Sequence, residues 1–329
     1  MQSLKKYSNI TGLLVFFISL FVYYHSVERT GSLWDCGEFI LGAYKLQVVH
    51  PPGAGLFVII GRMFAWLATV FSDDPADIAF AVNLMSAICT SIAAMMIAWT
   101  TIMFGKLALL GRNTDTSNAE NIALSFAGLV AGLATAFSTS IWFSAVEGEV
   151  YAMSTMFTVM TLWAATKYYY IQDESEALRW LVLSLFVSGM SVGVHLLSIL
   201  SLPAIALLVY YKKYKEHTIK GALIAMAAGV AAIVFIMKVV IVGIPTLWKN
   251  MELLFVNSFG LPVHSGIIPT LLIVAAVGYF GVKYAQKKGS QLLQVAAISA
   301  ILITVAFSTI GVVVIRANTD TPINMNVPG

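Results

Sequence analysis

Leu33-Trp34-Asp35-Cys36-Gly37-Glu38-Phe39, followed further on by His50-Pro51-Pro52-Gly53, is the stretch around which the chain is read. It comes after the first hydrophobic segment and joins two acids, a short amphipathic run and a double proline. Most of the rest is apolar. Of 329 residues, 59% are hydrophobic and 11% charged, whereas a soluble domain carries roughly 25% charged residues. Repeated apolar runs of about 20 residues identify an all-α polytopic membrane protein. Backbone groups in lipid must be satisfied internally, and the alternation that a barrel needs is missing. Asp35 and Glu38 are therefore the first place to look for chemistry.

The charges orient the chain. Residues 1–7 are basic and residues 10–24 apolar, but no small-residue cleavage site follows, so this segment is read as a retained anchor. Lys5 and Lys6 put the N-terminus in the cytoplasm. A first outer loop, residues 27–79, holds the acidic motif. Residues 37–49 are expected to form a short amphipathic helix with Phe39, Ile40, Ala43, Tyr44 and Leu46 near one side, ended by Pro51-Pro52. Residues 55–71 are apolar enough to cross. The acids at 73, 74 and 77 suit the outside and the basic loop 211–220 the inside, and both fit only if 55–71 does not cross but lies along or re-enters the outer face. Nine spans then alternate: residues 9–26, 80–104, 122–143, 151–169, 181–194, 196–210, 222–242, 267–283 and 292–315. Most Lys and Arg fall inside. Most acids, from Glu28 to Asp320, fall outside. The whole chain, 1–329, reads as one transmembrane unit. Residues 317–329 are polar, end without a stop feature, and are expected to begin an outer segment, the chain being either a truncated or a naturally short version of something longer.

Each candidate residue has a plain reading beside a chemical one. Asp35-x-x-Glu38 has the spacing of a capping box. Beside Trp34, at a membrane face and ahead of His50, a carboxylate with a raised pKa can also serve as a general base. The two roles are compatible, with Glu38 capping or orienting and Asp35 acting on substrate. Glu147-Gly148-Glu149 joins two spans, either as a solvated turn flanked by Trp142 and Tyr151 or as a second acidic contribution to the same cavity. His195 sits at the tip of a tight hairpin, after Gly189 and Gly193, where it can be structural or contact a phosphate. Lys238 lies about a turn inside its span and either snorkels or lines a cavity. Arg62 is placed toward lipid headgroups and Arg316 as an interfacial anchor. Cys36 and Cys89 do not form a disulfide framework. There is no Walker loop, dinucleotide fingerprint, H-E-x-x-H or Cys/His ligand cluster. The outer acids can bind a divalent cation, but no spacing demands one, and no nucleic-acid partner is expected.

At Asp35, Glu38 and His50-Pro51-Pro52 the chain resembles the C-type glycosyltransferase superfamily, and within it the protein O-mannosyltransferases. With Trp34-Asp35-Cys36-Gly37-Glu38-Phe39 and Glu147-Gly148-Glu149-Val150-Tyr151, it is most similar to a Bacteroidota membrane family. That family in turn is similar to an animal O-mannosyltransferase acting on plexin-type receptor domains. The resemblance is strongest over residues 32–195. Arg316-Ala317-Asn318, with Pro322 and Asn324, looks like the family's outer segment after its last span.

The resemblance implies an inverting transfer of a sugar, expected to be mannose, from a polyprenyl-phosphate donor to a hydroxyl of an exported protein. It places the chain in a bacterial inner membrane with the active site facing the periplasm. Asp35 would be the general base, Glu38 would orient the acceptor or Asp35, and His195 would contact the donor phosphate; Trp34, His50, Glu147, Glu149 and Lys238 are the further candidate substrate contacts read from the sequence. His195 stands where mannosyltransferases often carry Lys, and Asn83 where they commonly carry Arg. Two rival readings are a lipid-linked sugar transporter or flippase, favoured only by Lys238, and a non-catalytic membrane scaffold.

Overall fold

The computed structural model describes residues 2–112, 115–319 and 321–325. Asp320, counted above among the outer acids, and the last four residues of the C-terminal segment lie outside the described residues. In chain order the helices are α1 (Gln2–Tyr24), α2 (Cys36–Lys45), α3 (Gly55–Thr69), α4 (Pro75–Leu109), α5 (Asn118–Ala136), α6 (Thr139–Val146) and α7 (Val150–Tyr170). Then come α8 (Glu174–Val192), α9 (Leu202–Lys213), α10 (Ile219–Phe235), α11 (Ile244–Leu253), α12 (Ile267–Lys287), α13 (Gln291–Phe307) and α14 (Gly311–Ala317). Among the described residues the only β-pairing is an isolated bridge between Val48 and Asn324.

Eight helical stretches among the described residues are long and apolar enough to cross a membrane. The chain is an all-α multi-pass membrane protein. α7 is the ninth long helix, at 21 residues. Its threonines, tyrosines and Lys167 make it less apolar than the other eight, and it is wedged between α4 and α8. A helix that touches protein on two sides does not need a fully apolar surface.

α4 organises the bundle. Its 35 residues rise about 52 Å, longer than a hydrocarbon core of about 30 Å. It starts with Asp74 as N-cap, accepting from the Ala76 amide at 2.9 Å, and with Pro75 in the first turn. α2 and α3 pack against it. α3 has 15 residues, a rise of about 22 Å, which is short for a crossing. Phe39 of α2, Phe57 of α3, Val82 of α4, Met153 of α7 and Val187 of α8 share one buried cluster. A second cluster joins α7, α8, α9 and α13. α10 and α12 leave most of their apolar surface open, as lipid-facing helices do.

Three expected boundaries are corrected. α2 ends at Lys45 rather than at residue 49, because Leu46 turns left-handed (φ 49°) and its amide closes on the Gly42 carbonyl. The prolines therefore do not end it. The expected span at 122–143 is two helices: α5 stops at Ala136, and Ser138 opens α6. The expected span at 222–242 instead runs on as helix to Ser258, with π-helical turns over Ile236–Gly243 and Leu254–Ser258. Pro245 has no amide hydrogen, so the regular hydrogen-bond ladder cannot pass through it. The first wider turn lies directly before it.

α4 and α5 touch closely at Gly128. A Cβ there would lie 2.9 Å from the Ala98 carbonyl oxygen and 2.7 Å from Ile102. Backbone cannot move aside as a side chain can, so Gly128→Val is expected to cost about 1–3 kcal/mol and to lower the thermal unfolding midpoint in detergent. An unchanged midpoint would mean that the α4–α5 contact is looser than described.

Candidate functional site

Asn83 of α4 is fully buried and sits beneath the loop between α1 and α2. Its Nδ2 donates to the carbonyls of Glu28 at 2.8 Å and Thr30 at 3.1 Å. The Cys36 thiol donates to its Oδ1 at 3.8 Å. A Cβ on Gly148 would lie 2.6 Å from that same oxygen, so only glycine lets the Glu147-Gly148-Glu149 turn settle against it. The Glu28 amide also donates to the Val146 carbonyl at 3.2 Å. One amide side chain thus holds the acidic loop and the second acidic turn together.

The carboxyls do not cap α2 in the way their spacing suggests. Asp35 is the N-cap residue, but its side chain makes no capping bond. The Asp35 amide instead donates to the carboxyl of Glu149, which is 7% exposed and comes from the other loop. An acid at a helix N-terminus is favoured by the free amides and the helix dipole. Glu38 turns the other way, where it accepts from the His50 amide at 2.5 Å and faces His50 Nδ1 at 3.2 Å. The Asp35 carboxylate is half-buried and, among the described residues, has no side-chain hydrogen-bond partner.

The other candidates fall into two groups. Glu147 acts on Glu149 through its charge. His195 is half-buried at the end of α8, accepts from the Leu197 amide through Nδ1 at 3.3 Å, and has its ring 5.5 Å from that of Tyr151, which follows Glu149 by two residues. Burial holds its pKa below the usual histidine value. Trp34 is left-handed (φ 68°) and 88% exposed, standing free beside Asp35. Lys238 is not brought to this group. It lies exposed on the π-helical stretch, with no ion pair to an acid among the described residues.

Two arginines placed at the lipid boundary by sequence have other partners. Arg62 donates to the Tyr44 carbonyl, and Arg316 donates to Leu46 O at 2.7 Å and Lys45 O at 3.5 Å. Both therefore answer the free carbonyls at the C-terminus of α2. Next to them the C-terminal segment is strapped onto the loop. Ile323 N donates to Gln47 Oε1 at 2.7 Å, Val48 N to Ile323 O at 3.2 Å and Met325 N to Val48 O at 2.9 Å. Neither Asn83 as a tie nor this strap carries a local signal in the sequence.

Asp35, Glu38 and His50 each place one ligand atom within 4.8 Å of the others. Two carboxylates and an imidazole suit a divalent cation. Burial, and then the charges of Glu147 and Asp35, raise the Glu149 pKa, against the pull of the Asp35 amide and His50. A carboxyl held above its ordinary value stabilises the fold while protonated. That contribution is full below the ordinary carboxylate pKa and is lost as pH rises through the raised one. Glu149→Gln keeps an acceptor oxygen and cannot ionise, so thermal stability in detergent is expected to lose this pH dependence. A variant profile that tracks the wild type would show that another group is responsible.

The chain is 28% identical over 166 residues to "Protein O-mannosyl-transferase tmem260" of Dictyostelium discoideum, covering 50% of this chain and 18% of that protein. It is 22% identical over 157 residues to "Protein O-mannosyl-transferase TMEM260" of Mus musculus, covering 48% of this chain and 19% of that one. The matched region thus spans about a fifth of each relative's length. No solved structure matches the chain. The family model described as Protein O-mannosyl-transferase TMEM260 N-terminal domain matches residues 35–218. That match begins at Asp35, takes in Glu38, His50, Asn83, Glu149 and His195, and covers more than half of the chain, which therefore belongs to this O-mannosyltransferase-like family.

Proposed function

We propose that the chain is the membrane part of an inverting glycosyltransferase. In this reading it moves mannose from a polyprenyl-phosphate donor to a hydroxyl of an exported protein at the periplasmic face of a bacterial inner membrane. One observation carries the reading: Asp35, Glu38, His50 and Glu149 converge at one end of the bundle, inside the region that the family model matches.

Asp35 is the general base. It takes the proton of the acceptor hydroxyl as that oxygen bonds to C1 of the sugar. The bond from C1 to the phosphate oxygen breaks, and polyprenyl phosphate leaves with the electron pair. Attack opposite the leaving group inverts C1. Glu38, held by His50, fixes the loop that carries Asp35. Glu149 anchors the Asp35 backbone from behind, with Glu147 beside it. Trp34 offers an exposed ring to sugar or acceptor. His195, on the far side of Tyr151, is placed to contact the donor phosphate. The isoprenoid tail lies in lipid, where Lys238 is exposed. A divalent cation held by Asp35, Glu38 and His50 would screen charge on the departing phosphate. The orientation rests on the basic residues Lys5, Lys6, Lys212, Lys213, Lys215 and Lys220, which are placed at the cytoplasmic end.

The test is transfer from radiolabelled polyprenyl-phosphate mannose to native exported proteins, in membranes holding the wild type or Asp35→Asn. Loss of a general base typically costs about 10²–10⁴-fold. A loss in that range is expected, with the variant folding as the wild type does. Equal labelling by folded Asp35→Asn would remove Asp35 from the chemistry.

A further inference from the structure

At the end of the bundle opposite Asp35, the start of α1 and the ends of α4 and α7 enclose a cavity of about 370 Å³. Lys5, Lys106 and Lys167 line it beside Trp99, Trp163 and Tyr170. Lys106 is only 2% exposed. Among the described residues its ammonium meets only neutral oxygens, the Tyr170 hydroxyl at 2.9 Å and the Arg112 carbonyl at 3.3 Å. Lys167 lies over the rings of Trp163 and Trp180, at 5.6 and 5.9 Å. Among the described residues none of the three ammonium groups is ion-paired with a carboxylate. Glu176, at the start of α8, acts on Lys167 only through its longer-range field.

A buried ammonium is stable only when its charge is answered, and near a membrane such charges face cavities and find partners. Ring faces and neutral oxygens answer Lys106 and Lys167 in part. Three cations around one space repel each other, and an anion inside it would relieve all three. The remaining wall combines apolar Leu4, Ile102 and Met103 with the uncharged polar Ser8 and Asn9. The cavity thus presents a cationic floor and a greasy side at the end of three packed helices, which is the chemistry of a phosphate carried on a hydrocarbon chain.

We propose that this cavity binds the phosphate headgroup of an anionic phospholipid from the leaflet opposite the acidic site. Lys106 is the buried contact, with Lys5 and Lys167 closing over the phosphate. The proposal does not depend on sugar transfer.

The experiment is native mass spectrometry of the full chain, equilibrated in detergent with equal phosphatidylglycerol and phosphatidylcholine. Preferential retention of phosphatidylglycerol by the wild type is expected. Loss of a charge-assisted hydrogen bond should lower that retention about tenfold in Lys106→Met. Lys5→Ala changes an exposed side chain and is expected to lower it about threefold, and it decides the question if Lys106→Met does not fold. Equal retention of the two lipids, or unchanged retention in a folded variant, would overturn the proposal. Displacement of the lipid by inorganic phosphate, at concentrations where chloride has no effect, would overturn the lipid assignment and give the site to a free phosphate.

Discussion

Two backbone carbonyls, one thiol and one glycine turn close on the buried amide of Asn83, and the acidic site depends on that junction. A loop leaving α1 has no ladder of its own. Its polar groups need partners before it can hold a carboxylate in place. Asn83 supplies them from the most extensively packed helix of the bundle. The same contact brings up the turn before α7, so that Glu149 meets the α2 N-terminus. Glu38 then fixes His50 at the start of the next segment. Each contact joins residues far apart in the chain, and together they leave the Asp35 carboxylate without a structural task.

The membrane imposes the second constraint. Helices satisfy their own backbone, so charge is needed only where the chain leaves lipid or opens a cavity. The two ends of this bundle use that freedom in opposite ways. One gathers Asp35, Glu38, Glu147 and Glu149 around a histidine. The other gathers Lys5, Lys106 and Lys167 around a cavity. α4 reaches both ends, with Asn83 near one and Lys106 near the other, and its rigidity sets their separation.

Much of this was legible in the sequence. Apolar runs of helical length located every long helix, and the acid and base balance of residues 72–77 and 211–220 was enough to keep residues 55–71 from being read as a crossing. The pairing of Asp35 with Glu38 was visible as spacing, but spacing suggested a cap. The cap is Glu149, whose contribution depends on a tertiary contact through Asn83 and Gly148. Arg62 and Arg316 looked like lipid anchors because their helices are apolar, yet each turns back to a carbonyl of α2. The continuation of helix past residue 242 was hidden because Pro245 and Gly243 normally signal an end, and a π-helical turn absorbs them instead.

The measurement that bears most directly on the account is side-specific labelling of Trp34→Cys. Position 34 is exposed beside Asp35, whereas the native Cys36 and Cys89 are buried. An impermeant maleimide added to spheroplasts should label the variant from outside, and polyprenyl-phosphate mannose should slow that labelling several-fold by occupying the acidic site. Labelling only after the cytoplasmic side is opened, or a rate indifferent to the donor, would contradict the placement of a lipid-linked sugar at Asp35.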